Sequence, residues 1–151
     1  MKLLMTVCIV CLGLNAFSQN PEIEVRKAVE TFFMGFHQQD STIIKQVVSK
    51  DLILQSIGKD KDGNTFVRNE DFNQFLISIV SIPKDQKFEE KLLSFNIQID
   101  GNMANVWTPY EFWFNGEFSH CGVNSFQLVQ LDNVWKIIYL IDTRRKTGCE
   151  N

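Results

Sequence analysis

Residues 103–144, MANVWTPYEFWFNGEFSHCGVNSFQLVQLDNVWKIIYLIDTR, restrict the possible folds of this chain more than any other stretch. Apolar and polar side chains alternate along it with the period of a β-strand. The alternation is interrupted at Asn115-Gly116 and Asp132-Asn133, residue pairs that accept the positive φ of tight hairpin turns. Upstream, Leu93, Phe95, Ile97 and Ile99 alternate with Ser94, Asn96 and Gln98, and Asp100-Gly101 marks a further turn. The pattern predicts four long strands in an antiparallel meander beginning near Lys87.

The residues before the meander repeat with a helical period instead. Asn20-Pro21-Glu22 combines a cap, a first-turn proline and an acid near the positive end of a helix dipole. Val25, Ala28, Val29, Phe32, Phe33 and Phe36 then fall on one face, and the helix should end near His37. Asp40 is placed to cap a second helix that buries Ile43, Ile44, Val47 and Val48. Leu52 to Ile57 reads as a strand and Gly58 to Asn64 as a polar loop. Asn69 is placed to cap a third helix, with Phe72, Phe75, Leu76, Ile79 and Val80 on one side and Pro83 as its stop. Helices segregated from an antiparallel sheet make an α+β fold. The sheet should curve into a cone wrapped around about three N-terminal helices, and the mouth of the cone is where a ligand pocket would form.

The first eighteen residues have a separate logic. Lys2 precedes the apolar run Leu3–Leu14, and Ala16 and Ser18 are the small residues of a signal-peptidase site. The run is too short for a stable membrane anchor. The expected division is therefore a cleaved signal peptide (1–18), one globular domain (19–145) and a short C-terminal tail (146–151), exported to the periplasm or secreted. Cleavage would leave Cys121 and Cys149, a possible disulfide in an oxidising compartment. The net charge is −3, and removing Lys2 makes the mature chain one unit more negative. That balance argues against nucleic acid as a partner.

Two segments carry a resemblance to a known family. FFMGFHQQDSTIIKQVVSKDLIL is similar to the opening of the nuclear transport factor 2-like superfamily, in which a helix, a short acidic link and a second helix lead into the first strand. VWTPYEFWFNGEFSHCGVNSFQLVQLDNVWKI is similar to the closing hairpins of its exported bacterial members. The resemblance covers residues 21–145. It implies a cone-shaped fold, but that fold hosts enzymes, binding modules and assembly domains alike. Ketosteroid isomerases of the superfamily use a tyrosine on the first helix and an aspartate on the first strand. Here those places hold Phe32, Phe33 and Phe36, and Leu52-Ile53-Leu54-Gln55, so that activity is not expected. His37, His120, Tyr110 and Asp142 are of the types used by scytalone dehydratase, without an assured positional match.

Treating both Asn115-Gly116 and Asp132-Asn133 as two-residue turns places Glu111 opposite His120 and Asn124 opposite Ile141. Trp107, Glu111, Trp113, His120, Asn124, Phe126, Tyr139 and Thr143 then share one face of the sheet. Glu111 with His120 is either an acid–base dyad or a polar pair at the rim of the sheet. The candidate ligand lining is Trp107, Asn124 and Tyr139 with Phe32 and Phe36. No nucleophile elbow, metal-ligand spacing or cofactor motif is present, and no cofactor is expected. The leading expectation is an exported protein binding a small molecule in the cone. The alternatives are a cofactor-free lyase, isomerase or hydrolase using His120 with Glu111, and a non-catalytic dimeric assembly domain. The apolar residues on the second face suggest a homodimer.

Overall fold

A computed structural model describes residues 20–149; the segment expected to be a signal peptide, with its expected cleavage site, lies outside the described residues. Helix α1 (Pro21–Gln38) begins at Asn20, whose side chain accepts the Glu22 N–H, and carries Glu22 and Glu24 in its first turn. It buries Val25, Ala28, Val29, Phe32 and Phe33. The helix ends at Gln39, a left-handed residue with φ 56°. Asp40 accepts N–H groups from Thr42 and Ile43 and so caps α2 (Ser41–Val47). Strand β1 (Val48–Lys59) follows without a linker and is twice as long as the Leu52–Ile57 segment expected.

A second strand, β2 (Thr65–Glu70), runs between the expected Gly58–Asn64 loop and the third helix and includes Asn69, the expected helix cap; the cap of α3 (Phe72–Val80) is Asp71. The Asp60 carboxylate accepts the N–H groups of Asp62 and Asn64 and the Asn64 side-chain amide, closing a β1–β2 hairpin. All but one of the β2 residues are exposed, so the strand lacks the alternating burial that reveals strands in sequence.

The first of the four strands expected in the meander is two: β3 (Phe88–Leu92) and β4 (Asn96–Asp100). Both pair with the same neighbour, β5 (Met103–Phe114), at its two ends. Pro109 of β5 lies opposite the break, where its carbonyl accepts the Leu93 N–H at 2.9 Å. A residue's N–H and C=O point to the same side of a strand. The donor that proline lacks is therefore missing at this junction, and the ladder cannot run through it. Strands β6 (Glu117–Leu131) and β7 (Val134–Thr143) complete the chain. The order across the sheet is β2-β1-β7-β6-β5-β3, with β4 also on β5. The β1–β7 contact is parallel and the others are antiparallel.

The sheet curves around the helices without closing, and the core fills the concave side. Phe32, Phe33 and Ile44 from the helices meet Leu54, Ala104, Val106, Phe126, Leu128, Trp135 and Ile137 from the sheet. At one end of this side β6 runs very close to its neighbours. A Cβ on Gly122 would come 1.8 Å from the Thr143 carbonyl oxygen and 2.7 Å from the Tyr110 ring. Only glycine permits that approach, and it lets Tyr110 donate its hydroxyl to the same Thr143 carbonyl at 2.9 Å.

Candidate functional site

The open end of the cone holds a cavity of about 90 Å³. Helix α1 supplies Phe32, Phe33 and Phe36 to its wall and α3 supplies Phe75. The sheet contributes Leu54 and Gln55 from β1, Glu70 from β2, Glu90 from β3, Asn124 from β6, and Leu140 and Asp142 from β7. Arg144, just past β7, completes the rim. The apolar walls follow from the periodicities of helix and strand. The polar groups come from residues far apart in sequence that the curved sheet brings to one cavity.

Glu90 dominates the electrostatics. It lies on the inward side of β3 between Phe88 and Leu92. Its Oε1 accepts the Asn124 amide N–H at 2.7 Å. Burial pushes its pKa up to about 7. The Asn124 hydrogen bond and Arg144 oppose that rise, and Asp142 adds to it. Its backbone N–H donates to His37 Nε2 at 2.9 Å, so the last turn of α1 holds the Glu90 backbone in place. That bond requires an unprotonated Nε2. Burial favours this state by lowering the His37 pKa, with Glu89 opposing.

Asp142 accepts from Arg144 Nε at 2.8 Å and lies 3.3 Å from the Tyr110 hydroxyl. Burial, reinforced by Glu90 and Asp142, pushes the Tyr110 pKa well above its usual value, so the phenol remains a donor. The site thus combines an aromatic wall, a carboxyl able to change protonation near neutral pH, and a tethered Asp142–Arg144 pair.

The same architecture recurs in solved structures. A protein from Cytophaga hutchinsonii described as NTF2-like superposes with a TM-score of 0.64 at 12% identity, over 84% of this chain and all of that one. An NTF2-like protein of unknown function from Shewanella baltica gives 0.60 at 14% identity, over 84% and 95% of the two chains. A protein with a cystatin-like fold from Nostoc punctiforme gives 0.65 at 12% identity, over 83% and 92%. This chain has the nuclear transport factor 2-like fold. No family model and no curated protein sequence matches it, so within the nuclear transport factor 2-like fold the residues must carry the functional argument.

Of the candidate lining, Phe32, Phe36 and Asn124 face the cavity. Trp107, Glu111 and Tyr139 do not, and Glu111 is not opposite His120. It pairs with Cys121, while Phe112 pairs with His120. The turn at Asn115-Gly116 has positive φ at both residues and does set Phe114 opposite Glu117. Trp113 then pairs with Phe118, but Phe112 pairs with His120, which leaves Ser119 as an extra residue. On the other flank Gln127 pairs with Tyr139 and Leu128 with Ile137, which leaves Ile138 extra. Asn124 consequently faces Asp142 rather than Ile141. The two bulges put β6 out of step with both neighbours. His120, Asn124 and Phe126 move to the concave side, whereas Trp107, Glu111 and Tyr139 stay on the convex side.

His120 stacks on Phe112 with centroids 4.9 Å apart and its Nδ1 meets Ser119 Oγ at 3.1 Å. Glu111 accepts from Trp113 Nε1 at 3.0 Å, and Tyr139 donates to Gln55 Oε1. Cys121 and Cys149 form a disulfide with Cα atoms 5.9 Å apart. The decisive acid, Glu90, left a signal in the sequence. In Phe88-Glu89-Glu90-Lys91-Leu92 it is a charge placed, at period two, on the apolar side of a strand.

Proposed function

We propose that this chain is an exported protein that binds a small molecule, with the ligand's head group entering the open end of the cone. The observation that supports this reading is the cavity itself. It is a space walled by four phenylalanines into which Glu90 and Asn124 converge, at a position where side-chain packing could have filled the cone completely. Its volume of about 90 Å³ equals the share of about three waters. The cavity therefore accommodates a head group, and the remainder of the ligand would lie in the mouth. Export is supported by the N-terminal signal pattern and is consistent with the Cys121–Cys149 disulfide.

A second reading draws on the Glu90 pKa of about 7. A carboxyl poised there can both take and give a proton at neutral pH, as a cofactor-free lyase, isomerase or hydrolase requires. Glu90 would then fill the role sought in Glu111 and His120.

Native mass spectrometry of the exported protein, followed by thermal-shift screening of a chemically diverse library, tests the first reading. A co-purified small molecule, or a set of stabilising compounds whose effect is lost in Asn124→Leu, is the expected result. A wild-type protein that is ligand-free and indifferent to the whole library overturns it. Conversion of a bound compound, abolished in Glu90→Gln with binding retained, selects the enzyme reading over simple binding.

A further inference from the structure

We propose that the ligand of the cone is a small organic cation, its ammonium head held between the Glu90 carboxylate and the rings of Phe36 and Phe75. The inference rests on the cavity being a binding site and adds the chemical class of the ligand.

The charge inventory around the cavity carries it. Three acids and one base line the space. The base, Arg144, is bonded to Asp142 at 2.8 Å, and Glu70 is paired with Arg68 outside the lining. Glu90 is left over. Among the described residues no lysine, arginine or histidine forms an ion pair with it, and its side-chain hydrogen bond comes from a neutral amide. An anionic head group would meet Glu70, Glu90 and Asp142 with one cation already committed. A cationic head would supply the missing counter-charge.

The apolar wall fits the same class. The ring planes of Phe32 and Phe75 differ by 10° and those of Phe36 and Phe75 by 4°, and all three rings line the cavity. Aromatic walls with an adjacent carboxylate bind methylated ammonium groups through the ring quadrupole, at little cost for dehydrating a weakly hydrated cation. A cavity of about 90 Å³ has room for such a head.

The titratable groups around Glu90 are Glu70 from β2, Tyr110 from β5, Asp142 from the end of β7 and Arg144 just past it. His37 of α1 bonds its backbone. Without ligand, burial leaves Glu90 about half protonated at neutral pH and more so at pH 6.5. Entry of a fixed positive charge shifts it to the carboxylate, and a proton leaves for solvent.

Three probes of nearly one shape separate the possibilities: choline, its neutral isostere 3,3-dimethylbutan-1-ol, and the anion 3,3-dimethylbutanoate. Isothermal titration calorimetry near pH 6.5, in two buffers of different ionisation enthalpy, is the measurement. Choline should bind at least about tenfold more tightly than the alcohol, the anion should bind weakest, and choline alone should release protons. Glu90→Gln, shown to be folded by its thermal transition, should lose both the preference and the proton release. Equal or tighter binding of the alcohol or the anion overturns the cation assignment. So does choline binding unchanged in Glu90→Gln. If the library screen finds neutral or anionic ligands, the binding function stands and only the cation assignment fails. If no compound of any class binds, both fall.

Discussion

Glu90 and His37 are joined through a single backbone N–H, yet they respond to pH in opposite directions. The Glu90 pKa rises from 4.5 to about 7 on folding, so the folded chain holds a proton that the unfolded chain has released. The resulting stabilisation is complete below about pH 4.5 and is lost as pH rises through 7. For a shift of that size the loss is on the order of 3 kcal/mol. The His37 pKa is lowered by burial, so its contribution is present above 6.5 and is lost as pH falls through its folded-state value. Urea unfolding of wild type and Glu90→Gln at about pH 5 and about pH 8 checks the first effect. The wild type should lose stability toward the higher pH by more than the variant does. Parallel behaviour of the two proteins would show that Glu90 does not titrate in this range.

Strand β6 shows how small irregularities decide a site. Its hairpin turn was legible because Asn115-Gly116 accepts the required backbone angles, with φ 51° and 84°. The extra residues Ser119 and Ile138 carry no local mark, because a bulge depends on how the neighbouring strands curve. Each one-residue slip reverses which side chains face the core, and this is why Asn124 lines the cavity while Glu111 does not. The C-terminal segment is another element set by its neighbours. Cys121 and Arg145 exchange both backbone hydrogen bonds at 2.9 Å, and the disulfide to Cys149 ties down the residues that follow Arg144. Closing the 28-residue separation between the two cysteines should contribute about 3.5 kcal/mol. In Cys149→Ser, chemical denaturation should show a loss of about that size, and the intact mass of the wild type should rise by two hydrogens on reduction. A variant as stable as the wild type would mean that the bond contributes nothing in solution.

For the molecule as a whole, the concave side is occupied by helices and the convex side is bare. Trp107 is 50% exposed and Ile53 54% exposed, and both belong to the convex face. We propose that two copies associate through this face, covering apolar side chains that a lone domain leaves in water. Light scattering coupled to size exclusion should report a dimer for the wild type and a monomer for Trp107→Glu, with the thermal transition of the monomer still cooperative. A wild type that is monomeric at high concentration rules the arrangement out.

Local chemistry determined the helices, their caps at Asn20 and Asp40, the hairpin turns and the α+β class. Each of these depends on side-chain spacing or on residues within a turn of one another. Glu90 is an intermediate case, since its position among Phe88 and Leu92 was visible but its significance was not. The break at Pro109, the flip of β6, the meeting of Glu90 with Asn124, and the lack of a cationic partner for Glu90 among the described residues were decided by the tertiary structure. All four arise where strands distant in sequence come side by side, and pairing through curvature, unlike periodicity, is not written in any one segment of the chain.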